Sequence, residues 1–97
     1  MNVVNISLQV LPVVEEEMIY PVVDKVIDYI KSTGVKYFVS PMETTMEGDI
    51  DILLDIVKKA QDICVREGAK RVISIVKIDC RPDGVTIDEK MNKYISQ

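Results

Sequence analysis

Apolar and polar residues alternate from Val3 to Leu11, with Val4, Ile6, Leu8 and Val10 in one phase and Asn5, Ser7 and Gln9 in the other. A period of two belongs to a strand with one face on a core and one face polar. Pro12 and the run Glu15-Glu16-Glu17 then read as a connection, and Pro21 stands where a first helical turn tolerates a missing N–H. Beyond it Val22, Val23, Val26, Ile27 and Ile30 recur at helical spacing, and Gly34 follows as the C-terminal cap. Val35-Lys36-Tyr37-Phe38-Val39 has strand composition, Pro41 suits a turn, and Thr44-Thr45-Met46-Glu47 supplies the second arm of a hairpin.

Asp49 is placed to cap a second helix, whose apolar stripe reads Ile50, Leu53, Leu54, Val57, Ala60 and Cys64 and which ends at Gly68. Asp51 and Asp55 lie toward its N-terminus and Lys58, Lys59 and Arg66 farther along, as the helix dipole favours. Val72 to Ile78 is apolar in both alternating phases apart from Ser74 and Lys77, the mark of a strand covered on both faces. Asp83-Gly84 turns the chain, and Thr86-Ile87-Asp88-Glu89 has capping-box spacing for a short terminal helix to about Ile95.

This order of strand, helix, strand, strand, helix, strand predicts one α+β domain over residues 1–97, a ferredoxin-like βαββαβ sandwich. Its four-stranded antiparallel sheet has strand order 4-1-3-2, both main helices on one face, and a short C-terminal helix added. That helix is too short to cover the remaining sheet face. A last strand apolar in both phases therefore points to a partner subunit as its cover, and so to a homo-oligomer.

Charge and rare residues narrow the function. A formal net charge of -4 gives no electrostatic reason to approach nucleic acid or an anionic membrane, and better suits a neutral or cationic small molecule. No apolar run reaches the roughly 18 to 20 residues that a membrane span needs, and the first residues lack a signal-peptide pattern, so a soluble, cytoplasmic protein is expected. Histidine is absent, which removes the commonest general base and the commonest metal ligand; no metal site or cofactor is expected. Cys64 and Cys80 form neither a CxxC pair nor a disulfide framework and read as free thiols, and the four glycines are isolated at element boundaries rather than gathered in a phosphate loop.

The chemistry concentrates in Ser40-Pro41-Met42-Glu43-Thr44-Thr45-Met46-Glu47-Gly48-Asp49, six hydroxyl or carboxyl side chains in ten residues between two core segments. With the opening strand Asn5-Ile6-Ser7-Leu8-Gln9-Val10-Leu11-Pro12 and the closing segment Lys70 to Asp79, this stretch resembles the small thiamine-binding, YkoF-like family of ferredoxin-like domains over nearly the whole chain. The family carries a serine on its first strand and a Thr-x-hydrophobic-x-Gly stretch on its third, matched here by Ser7 and by Thr44-Thr45-Met46-Glu47-Gly48. The resemblance implies a non-enzymatic binder of thiamine or its hydroxymethylpyrimidine half, for salvage, transport or buffering, with a tetrameric habit.

An aminopyrimidine needs edge-on donors and acceptors and a flat apolar surface for its ring. Ser7, Gln9, Thr44, Thr45 and Glu47 are the candidates for the first, and Phe38 or Tyr37 for the second. Thr44 and Thr45 point to opposite faces of their strand, and Thr44 is the one expected to join Ser7. Two other readings stay open: an ACT-like regulatory domain sensing another metabolite, and a small enzyme using Glu47 or Lys77. Within the same stretch Glu47 and Asp49 are candidates for an acid–base pair, with Asp49 read instead as a helix cap.

Overall fold

The computed structural model describes residues 3–95. Four strands, β1 (Val4–Pro12), β2 (Lys36–Val39), β3 (Thr44–Gly48) and β4 (Val72–Asp79), form one antiparallel sheet in the order β2-β3-β1-β4, as the sequence predicts. Helices α1 (Ile19–Ser32) and α2 (Ile50–Arg66) form the main helical layer, and α3 (Ile87–Ile95) closes the chain. A single 3-10 turn at Glu16–Met18 joins β1 to α1, occupying the acidic connection.

The phase of β1 sets the core. Val4, Ile6, Leu8 and Val10 are buried with Met46 of β3, Val22, Val26 and Ile30 of α1, and Leu53, Ile56, Ala60, Ile63 and Cys64 of α2. Burial of these aliphatic side chains, each contributing on the order of 1.5–3 kcal/mol, is the main force holding helices to sheet. The α2 stripe is rotated from the expected one. Ile56 and Ile63 are buried, while Leu54 is 36% exposed. Asp49 occupies the N-cap position with extended backbone, yet its side chain makes no capping hydrogen bond and its Oδ1 is buried without a partner. The predicted cap therefore holds as a position and not as a bond. Gly34 and Gly68 follow α1 and α2 with φ of 82° and 103°, the left-handed conformation that lets glycine end a helix.

Strand register fixes which residues share a face. Tyr37, Met46, Ile6 and Ile78 form one cross-strand row toward the helices, and Val39, Thr44, Leu8 and Val76 form the next. On the opposite face lie the rows Lys36, Glu47, Asn5, Asp79 and Phe38, Thr45, Ser7, Lys77, followed by Gln9 with Ile75 and Leu11 with Ile73. The expected cover on both faces of β4 is incomplete in the single chain, where Ile73, Ile75 and Ile78 are each close to half exposed.

Candidate functional site

β1 outruns β3. Its last pairing with β3 is Leu8 with Thr44, so residues 9–12 present a strand edge that β3 does not fill. The β2–β3 turn folds beside that edge and α1 passes across it, leaving a cleft of about 420 Å³ between helix, sheet and turn. The turn is held by Ser40: its N–H and Oγ–H both donate to the Glu43 carbonyl, at 2.9 and 2.7 Å, and its Oγ accepts from the Glu43 N–H at 3.2 Å. Lys77 on β4 reaches over to bond the Glu43 carboxylate at 2.9 Å.

The cleft walls are mainly apolar, with Val10, Val23, Ile27 and Met42 among them. Thr44 is 6% exposed as a residue, and its hydroxyl, which has no hydrogen-bond partner among the described residues, keeps contact with solvent and so is open to a ligand. The two charged side chains in the lining are carboxylates, Asp24 on α1 and Glu43 on the turn. A volume within the range of about 300–1,000 Å³ typical of ligand pockets, apolar walls and a few convergent polar groups are what a small-molecule site requires.

The polar sheet face is organised differently. Ser7 Oγ and Thr45 Oγ1 lie 2.8 Å apart and satisfy each other. Glu47 accepts the Ile87 N–H at 2.6 Å, so its carboxylate caps the start of α3. Lys90 of α3 donates to Asn5 Oδ1 at 2.8 Å and pairs with Asp79 at 2.7 Å, while Asp88 pairs with Lys36 at 2.7 Å. The Asp88 hydrogen bond also pushes the exposed Lys36 ammonium above its ordinary pKa. These bonds fasten α3 over the Lys36–Asp79 row and bury Asn5, a polar residue that the alternation alone would leave in water.

Register brings Phe38, Thr45 and Ser7 into one row of that face, with Glu47 in the row before and Gln9 in the row after. Thr44 is separated from them. The expectation that Thr44 joins Ser7 is corrected here: Ser7 is opposite Thr45, and Thr44 is opposite Leu8 on the helix side. Gln9 borders the cleft as well, and Tyr37 lies on the helix side. The reading of the sequence missed Asp24, which only the path of α1 brings to the cleft. For Thr44 a signal existed, because apolar Met46 two residues on marks the core phase of β3.

Among the described residues no three His, Cys, Asp or Glu side chains gather as a metal site. Cys64 is buried in the core, where desolvation pushes its thiol pKa up, and Cys80 is exposed; neither is in a disulfide. No described helix is long and apolar enough to cross a membrane.

Fold and cleft together define a class, the small ferredoxin-like α+β domain with a ligand-sized cleft between helix and sheet. Within it the chain belongs to the thiamine-binding protein family, whose sequence signature matches residues 6–95. It is 67% identical over 94 residues to a UPF0045 protein of Clostridium perfringens, a match covering 97% of this chain and 99% of that one. A domain of unknown function from Bacillus cereus superposes with a TM-score of 0.90 at 50% identity, covering 96% of this chain and 90% of the other. A Thermotoga maritima protein provisionally named for thiamine biosynthesis or salvage superposes with a TM-score of 0.88 at 38% identity, covering 95% and 98%.

Proposed function

We propose that this protein binds thiamine, or its hydroxymethylpyrimidine half, in the cleft between α1, the free edge of β1 and the β2–β3 turn, without transforming it. The observation that carries the reading is Thr44, whose hydroxyl is accessible and without a protein partner among the described residues on the wall of a mainly apolar cleft. A pyrimidine edge offers both a donor and an acceptor to such a hydroxyl. The aliphatic wall suits the ring, and the carboxylate of Asp24, which has no ion pair among the described residues, suits the positive thiazolium, while Glu43 is already paired with Lys77. Family membership and the Thermotoga relative support the choice of ligand class.

Binding without turnover fits the state of the side chains that a small enzyme would use. Glu47 is committed to the start of α3 and Lys77 to Glu43. The physiological role is then salvage, transport or buffering of the vitamin in the cytoplasm, as part of a homo-oligomer. A regulatory domain for another metabolite finds no separate support in the geometry.

Calorimetric titration with thiamine and with the free pyrimidine, on the parent and on Thr44→Val and Thr45→Val, tests the proposal. Losing one neutral hydrogen bond at Thr44 costs about 0.5–1.5 kcal/mol, a severalfold loss of affinity, and Thr45→Val leaves affinity close to the parent's. The reverse pattern, with Thr45 sensitive and Thr44 not, moves the site to the Phe38, Thr45, Ser7 row.

A further inference from the structure

The outer half of the cleft differs from its floor. Thr44 and the aliphatic side chains form the inner part, whereas Tyr20, Asp24, Met42 and Glu43 surround the mouth. Tyr20 and Asp24 stand one helical turn apart on α1, a spacing that sets two side chains on the same face. Tyr20 is 80% exposed and Met42 74%, so two large apolar surfaces stand in water at the opening. Asp24 has no ion pair among the described residues, while Glu43 shares one oxygen with Lys77, which stands on β4 outside the lining. No lysine or arginine lines the cleft among the described residues.

We infer that this mouth is a charge filter: it selects an unphosphorylated ligand whose outer ring carries a fixed positive charge, and it rejects phosphate esters of the same molecule. The inference rests on the cleft reading above and goes beyond it by naming the ionic form the site accepts. An unpaired carboxylate beside an aromatic face is the arrangement that holds an organic cation, by direct attraction and by the ring's negative face. The same carboxylate repels a phosphate, which recognition sites commonly meet with lysine or arginine, and neither lines the cleft among the described residues, although the first turn of α1 borders it at Ile19 and Tyr20. Selectivity of this kind is a difference of affinities, produced as much by the repulsive element as by the attractive one.

The test is a calorimetric series on the full chain with thiamine, thiamine monophosphate, thiamine diphosphate and the free hydroxymethylpyrimidine. Thiamine should bind at least about tenfold more tightly than the diphosphate at low salt, with the monophosphate between them, and added salt should narrow the gap. Asp24→Asn should shrink the thiamine-to-diphosphate ratio severalfold, and Asp24→Lys should invert it; the exposed position of Asp24 on α1 leaves the core untouched in both variants. Diphosphate binding as tight as thiamine's, or a ratio unmoved in both variants, overturns the filter. If the free pyrimidine and thiamine bind in a Thr44-dependent way while that ratio stays flat, the filter fails and the cleft reading stands. If none of the four ligands binds, both fall together.

Discussion

At the scale of single residues, Thr44 and Thr45 show how much one step of strand phase decides. Adjacent in sequence, they end on opposite faces: Thr45 is satisfied by Ser7, and Thr44, though 6% exposed as a residue, keeps an accessible hydroxyl with no protein partner among the described residues. Period two alone says only that the pair splits; Leu8 opposite Thr44 in the register decides which goes where. The polarity of the site was therefore legible in the sequence and its partition between faces was not, apart from the hint given by Met46. The cysteines carry a prediction of the same grain. Cys64 lies in the core with its thiol held protonated by burial, and Cys80 is exposed. A thiolate-selective reagent should titrate one thiol in the native protein and a second only after denaturant is added. Two fast-reacting thiols in the native state would contradict the burial of Cys64.

At the scale of elements, α3 behaves as an appendage fastened by polar bonds at its start. The Glu47 carboxylate accepts the Ile87 N–H, Thr86 Oγ1 accepts the Glu89 N–H at 3.1 Å, and Val85 and Ile87 are its buried apolar anchors. The capping-box spacing was legible in the sequence. Only half the box forms, however, because the Glu89 carboxylate turns to Arg81 at 3.2 Å rather than back to the helix start. Glu47 was legible as a functional carboxylate and serves here as a structural one, since no local pattern joins residues forty positions apart. A hydrogen bond to a charged acceptor contributes about 1.5–3 kcal/mol, so Glu47→Ala should lower unfolding stability by an amount of that order. Hydrogen exchange should quicken first in the amides of α3, while those of β1 keep their protection. A uniform change across the sheet would mean that Glu47 supports the core rather than the helix. The rotated α2 stripe has a related cause: Leu54 and Ile56 are equally apolar, and only the crossing of α2 over β1 and β3 decides which one is buried.

At the scale of the whole molecule, α3 covers one end of the polar sheet face and leaves the other end bare. Leu11 and Ile73 are directly opposite across β1 and β4, Ile75 is next to them, and the three are 40%, 48% and 48% exposed. Contiguous apolar surface of this kind on a small domain marks a site of association, and a second copy of the chain is the occupant the proposed homo-oligomer supplies. Sedimentation should then find a dimer or larger species at micromolar concentration. The double variant Ile73→Lys, Ile75→Lys should shift it to monomer, because two charges facing their own symmetry mates cannot be buried unpaired. The same variant separates assembly from binding. The cleft is built from α1, β1 and the β2–β3 turn of one chain, and Ile73 and Ile75 are outside its lining. A folded monomeric variant should therefore keep the parent's affinity for thiamine within about twofold, consistent with sites that do not share contacts. A monomer that no longer binds would place the ligand between subunits on the Phe38, Thr45, Ser7 row, and a parent protein already monomeric at that concentration would remove the assembly altogether.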